Sequence, residues 1–212
     1  MCIRDSAQVG GDWYDAFPLA CGSTMLVIGD VAGHDMAAAA TMAQARGVLR
    51  GIAQSVAESP SGVLAALERA LTQLGVDTLI TLVVASVSER PDGSVGVRWS
   101  NAGHPPPALL RADGSATLLE HSPDRLLGAG PVWREDHDVV LTAGDTLLLY
   151  TDGLVERRGV PLDDGLAWLT GRLGALAGRP LEPLCDELIS GMSGRLADDV
   201  AVLAVRVETP AG

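Results

Sequence analysis

Apolar and polar positions change period several times along the chain, and each change marks an element. Residues 9–17 and 24–31 are strand-length apolar pieces separated by Ala20-Cys21-Gly22-Ser23, a hairpin-style break. From Ala37 the period lengthens. Ala38, Met42, Ala45, Leu49, Ile52 and Val56 recur every three or four residues, one face of a long helix. Gly47 and Gly51 lie one turn apart beside that face, which reads as a place for close approach to another backbone. Pro60 ends the segment and Ser61 reads as the cap of a second helix carrying Leu64, Leu67, Leu71 and Leu74. Strand patterning returns over 78–89 and 95–101 around Asp92-Gly93, and over 107–111 and 116–120 around Asp113-Gly114. Residues 139–141 and 146–150 follow, joined through Ala143-Gly144-Asp145, then helical stretches over 164–176 and 181–192 and a last strand over 198–207.

Strands, two helices, strands, two helices and a strand do not alternate as a parallel α/β sheet requires. Segregated runs joined by hairpins predict antiparallel sheets covered by helices, an α+β domain. With no internal repeat or low-complexity linker, one domain is expected over residues 8–207. Residues 1–7 read as a non-matching leader and 208–212 as a tail. The opening Met-Cys-Ile-Arg-Asp-Ser has no apolar core of a signal peptide. The longest apolar run, 79–87, is strand-length and broken by Thr81 and Ser86, so no membrane span is expected and the cytoplasm is the expected location.

Composition narrows the chemistry. Fifteen basic against 27 acidic residues leave a net charge of −12, the wrong sign for a protein that lives on nucleic-acid phosphates. All 15 cations are Arg; without Lys there is no Schiff base and no P-loop. Cys2, Cys21 and Cys185 are scattered, which argues against a disulfide framework or a thiolate zinc site. The acidic residues are more informative. Asp12 lies in Gly-Gly-Asp-Trp-Tyr-Asp, Asp30 ends an apolar strand, Asp152 follows another, and Asp198-Asp199 opens the last. An ionised carboxylate at the mouth of a core strand is costly without positive charge, and local Arg residues are scarce there. Mg²⁺ or Mn²⁺ meets that need with oxygen ligands, and two such ions can activate water for attack at phosphorus. Taken singly, an Asp-Gly after an apolar strand is more often a turn, Asp198-Asp199 more often solvated or capping, and Gly33-His34-Asp35 is readable as a helix start.

Five stretches occur in order: Gly-Gly-Asp-Trp-Tyr-Asp (10–15), Ile-Gly-Asp-Val-Ala-Gly-His-Asp (28–35), Ser-Asn-Ala-Gly-His-Pro-Pro (100–106), Leu-Tyr-Thr-Asp-Gly-Leu-Val-Glu (149–156) and Asp-Asp-Val-Ala-Val-Leu (198–203). Together they resemble the SpoIIE-type (stage II sporulation protein E) serine phosphatase domain, within the metal-dependent PPM protein phosphatases. The resemblance implies an α/β/β/α sandwich of two antiparallel sheets flanked by helix pairs. It implies two Mn²⁺ or Mg²⁺ ions, with Asp30 bridging both and the Val31 carbonyl joining the second. Asp152 and Asp198 (or Asp199, one residue out of register) would complete the first site and Asp12 the second. A metal-bridging hydroxide would hydrolyse phosphoserine or phosphothreonine, with His34 as a candidate proton donor.

The implied substrate is a phosphorylated STAS-domain anti-sigma factor antagonist in bacterial partner switching. The Ala-rich helix is a candidate for homodimerisation. Two departures from the family are visible: an edge strand expected ahead of Gly-Gly-Asp is missing, and Asp35 stands where Gly is usual. They leave open an alternative, a catalytically impaired PPM-fold module that acts as a signalling or protein-binding domain.

Overall fold

A computed structural model describes residues 1–5, 10–33, 35–55, 59–121, 124–130, 132–157, 159–191 and 199–208. In chain order its elements are β1 (Cys2–Asp5), β2 (Trp13–Pro18), β3 (Thr24–Val31), α1 (Met36–Ser55), α2 (Pro60–Gln73), β4 (Ile80–Glu89) and β5 (Val95–Ala102). They continue with β6 (Ala108–Leu110), β7 (Ala116–Leu118), β8 (His137–Leu141), β9 (Thr146–Tyr150), α3 (Leu162–Ala175), α4 (Leu181–Ser190) and β10 (Ala201–Arg206). The class is α+β, two antiparallel sheets and four helices, as the segregated pattern predicts. The chain forms two compact units: Val9–His104 with Ser122–Val140, and Met1–Gln8 with Pro105–His121 and Leu141–Gly212.

The first unit is built on the sheet β2-β3-β4-β5-β8. Every residue of β3 from Met25 to Gly29 is buried, so its sequence reads as a continuous apolar run without alternation. Met25, Val27 and Val31 share a core with Ala38, Ala45 and Leu49 of α1 and with Val63, Leu64 and Leu67 of α2. Each fully buried Leu contributes about 1.5–3 kcal/mol of transfer free energy, enough to hold short helices that are marginal alone. Val56, where the expected α1 stripe ends, lies outside the described residues. Two details of the helices are corrected. The α2 cap is Ser59 rather than Ser61: the Ser59 side chain accepts from Gly62 N and Pro60 takes the first helical position, where its missing N–H costs nothing. Among the described residues Gly47 and Gly51 approach no other backbone; a Cβ at either would meet nothing within 4 Å.

One buried charge fastens α1 to the sheet. Asp15, 4% exposed on β2, accepts from Arg50 Nε and Nη2 at 2.6 Å each and from Arg46 Nε at 3.1 Å. Burial alone would raise the Asp15 carboxyl, but the Arg50 and Arg46 guanidiniums hold it below the ordinary carboxylate value. The stability this gives is present above the unfolded-state value and is lost as pH falls through the lowered folded value. Asp15→Asn is expected to cost about 1–3 kcal/mol at neutral pH. The gap from wild type in urea midpoints should begin to narrow below about pH 4, where the unfolded state takes up a proton, and should close only once pH has fallen through the lowered folded value. A gap independent of pH would contradict the charge-based role.

The second unit is built on the sheet β1-β10-β9-β6-β7, with Leu148, Tyr150, Val202 and Ala204 packing against Leu169 and Leu173 of α3 and Leu184 and Leu188 of α4. The expected lack of an edge strand is overturned. Cys2–Asp5 pair antiparallel with β10, Cys2 opposite Ala204 and Asp5 opposite Ala201, and Arg4 donates to Asp186 at 2.5 Å. Four residues carrying an Arg and an Asp show no readable alternation, so this strand is defined by the ladder it joins. At the Ala143–Asp145 turn, buried Asp145 accepts from Thr142 N, Ala112 N and Arg111. Among the described residues no helix is long and apolar enough to cross a membrane.

Candidate metal centre

Strand register brings the first two acidic positions together. Trp13 pairs with Gly29, so one step further Asp12 falls opposite Asp30. The ladder continues past the strand end, with Val31 N donating to the Gly11 carbonyl at 3.2 Å. Asp12 and Asp30 are half-buried, and each offers a carboxylate oxygen within 4.8 Å of the other. Two like charges at that separation repel by about 3 kcal/mol at an effective dielectric of ~20, and a divalent cation between them reverses the sign.

The glycines of this strand pair are set by close approach. A Cβ on Gly11 would lie 2.1 Å from the Val31 carbonyl oxygen and 2.6 Å from Asp30 Oδ1. Thus two oxygens, the expected backbone ligand and the expected bridging carboxylate, converge where only glycine leaves room. A Cβ on Gly29 would meet the Trp13 ring at 2.8 Å, so Gly29 makes space for the indole that closes the pairing. This donor set, two carboxylates and a carbonyl, is the hard-oxygen set that Mg²⁺ and Mn²⁺ prefer. On that chemistry the residues fit such an ion.

The next strand adds a group that sequence reasoning missed. Thr81 pairs with Asp30 across the β3–β4 ladder, and its Oγ1 hydrogen-bonds His104 Nδ1 at 2.9 Å. His104 is buried and fixed by Asn101, whose amide donates to the His104 carbonyl and whose Oδ1 accepts from His104 N, both at 2.7 Å. The Ser-Asn-Ala-Gly-His stretch is the only sequence signal of this bracket. Thr81 sits unmarked in an apolar strand.

Asp35 has a structural use in the same unit. Its Oδ1 accepts from Ala38 N at 2.8 Å, which caps the start of α1. Asp35→Ala is expected to lower stability by about 1 kcal/mol, seen as a shift of the urea midpoint without a change of slope. An unchanged midpoint would count against the cap. His34 lies outside the described residues.

In the second unit, Asp152 opens a single 3-10 turn, Asp152–Leu154, directly after β9. The β9–β10 ladder is extended there by Thr151 N donating to the Ala201 carbonyl at 3.0 Å and Ala201 N to Thr151 Oγ1 at 2.9 Å. Gly153 presses on the neighbouring strand: a Cβ on it would lie 2.0 Å from the Asp199 carbonyl oxygen. Asp152 and half-buried Asp199 therefore stand at adjoining strand ends. Asp198 lies outside the described residues.

The family model for stage II sporulation protein E (SpoIIE) matches residues 21–208, and the chain belongs to this family. Asp12 lies ahead of the matched residues. The structure is similar to the RsbU and RsbW domains of a Mycobacterium tuberculosis protein, with a TM-score of 0.87 and 33% identity, covering 100% of this chain and 61% of that one. It is similar to the SiaA-PP2C domain of Pseudomonas aeruginosa, with a TM-score of 0.81 and 20% identity, covering 97% of this chain and 85% of that one. It also resembles the PP2C phosphatase domain and regulatory fragment of SpoIIE from Bacillus subtilis, with a TM-score of 0.77 and 19% identity, over 99% of this chain and 63% of that one. The fold is that of the PPM phosphatases.

Proposed function

We propose that the chain is a metal-dependent protein serine/threonine phosphatase. The observation that carries this reading is the convergence of the Asp12 and Asp30 carboxylates with the Val31 carbonyl around Gly11, in a chain of the SpoIIE family. In this reading Asp30 would serve both ions, Asp12 and the Val31 carbonyl would help hold one, and Asp152 with Asp198 or Asp199 would help hold the other. Two Mn²⁺ or Mg²⁺ ions supply Lewis acidity, which makes water a nucleophile at neutral pH and offsets charge gathering on the phosphoryl oxygens. The chain's own residues fix the ligands. Gly11 keeps the carbonyl and carboxylate close, the Thr81–His104 bracket steadies the strand opposite Asp30, and His34 is assigned proton donation to the leaving serine or threonine oxygen.

The substrate we assign is a phosphorylated STAS-domain anti-sigma factor antagonist, in the cytoplasm. The support is the family resemblance and the likeness to a chain that carries RsbU and RsbW domains, of which this chain spans 61%. The test is hydrolysis of p-nitrophenyl phosphate and of a phosphoserine STAS protein. Turnover should appear with Mn²⁺ and vanish with EDTA. Equal turnover in EDTA would reject the metal mechanism. A folded protein that binds the phosphoprotein but turns over neither substrate with Mn²⁺ would establish the impaired-module reading instead.

A further inference from the structure

The first unit contains a cavity of about 700 Å³ between the later turns of α2, the turn after it and the segment ahead of β8, lined among others by Ala65, Glu68, Val76, Asp77, Gly128 and Val132. That size is ordinary for a small-ligand site. Its Gly128 wall is shaped by close approach, since a Cβ there would lie 2.5 Å from the Thr78 carbonyl oxygen. Glu68 is the unusual member. It is 9% exposed and falls in the apolar stripe of α2 between Leu64, Leu67 and Leu71. Its Oε2 accepts from Arg134 Nη2 at 3.0 Å, and the Arg134 side chain is 1% exposed. Its Oε1 is buried and has no hydrogen-bond partner among the described residues.

Packing alone would be met by an apolar side chain at position 68, and the ion pair with Arg134 uses only one of the two carboxylate oxygens. A buried acceptor left over beside a cavity is a place for a donor. Arg134 balances Glu68 and Arg69 balances Asp77, so the need for a donor comes from the Oε1 that Arg134 leaves over, while the chain's net charge of −12 draws cations to its surface. Ala65, Val76 and Val132 supply apolar wall. We propose that this cavity binds a small organic amine, amidine or guanidine, whose N–H donates to Glu68 while its apolar body lies against Ala65, Val76 and Val132. Nothing in this inference depends on the metal centre.

The test is titration of the full chain, without added metal, with benzamidine, followed by ¹H–¹⁵N spectra; benzoate serves as the charge-reversed control. Saturable shifts are expected at the amides of Gly75, Gly128 and Gly130, with a dissociation constant of about 1 mM, the scale a fragment of this size attains. Benzoate should bind at least about tenfold more weakly. Glu68→Gln should weaken benzamidine about tenfold. Because that change also disturbs Arg134, Ala65→Leu is the second variant: it thrusts a larger side chain into the wall against which the ligand's apolar body lies, leaves the ion pair in place, and should cost at least about tenfold. The proposal is overturned by absence of saturable shifts at those amides, by equal binding of benzoate, or by unaltered binding in Ala65→Leu. These outcomes are read without any activity and leave the phosphatase reading untouched.

Discussion

Gly11→Ala is expected to lose metal-dependent hydrolysis and Mn²⁺ affinity together. The added methyl would stand 2.1 Å from the Val31 carbonyl oxygen and 2.6 Å from Asp30 Oδ1, so the backbone of β3 must retreat or the Asp30 carboxylate must turn away. Either movement dismantles the oxygen cluster. Overpacking of this kind costs about 1–3 kcal/mol in stability. Hydrolysis should fall further than stability does, by about a hundredfold or more, because a ligand displaced by an ångström no longer holds its ion. Gly47→Ala is the control. It adds a methyl in open space on an exposed helix turn and should stabilise by about 0.5–1 kcal/mol with activity unchanged. Equal activity of the two variants in a Mn²⁺-saturated assay would contradict the role given to Gly11.

Asp30→Asn is expected to exceed Asp12→Asn in its effect on kcat/KM. In the proposed arrangement a carboxylate shared by two ions would lose charge against both, whereas Asp12 would touch one. The expected loss is about a thousandfold or more for Asp30→Asn, equivalent to about 4 kcal/mol of transition-state stabilisation. For Asp12→Asn the expected loss is about ten- to a hundredfold, partly recoverable at high Mn²⁺. Both substitutions also relieve the repulsion between the two carboxylates. Comparable losses would place the shared ligand elsewhere.

The elements most legible in sequence are those whose pattern is local. Residues 24–31 and 146–150 appear as β3 and β9 with unchanged bounds, because buried strands advertise themselves as apolar runs ended by Asp or by a turn. The α1 stripe is equally plain, since Ala38, Ala45 and Leu49 keep a helical period. Leu74 misleads: it continues the α2 spacing but caps the helix and is 56% exposed. β1 was not legible, because its pairing partner stands some 200 residues away. Distance along the chain hides other features in the same way. Arg46 and Arg50 lie 31 and 35 residues from Asp15, and nothing near Gly-Gly-Asp-Trp-Tyr-Asp announces their guanidiniums. Thr81 gains its place from the register opposite Asp30, which composition does not encode. At the candidate site, Asp12, Asp30 and Val31 could be named from motifs in order, while the crowding at Gly11 arises from a strand pairing that the motifs do not encode.

Manganese anomalous scattering from crystals soaked in Mn²⁺ tests the oxygen cluster most directly. Two peaks are expected beside Asp30, one of them also about 2.2 Å from an Asp12 oxygen or from a water it holds, and both absent in Asp30→Ala. A wild-type map with no peak at Asp30 under saturating Mn²⁺, in crystals where Asp12 and Asp30 still face each other, would contradict the assignment of this strand end as a metal centre.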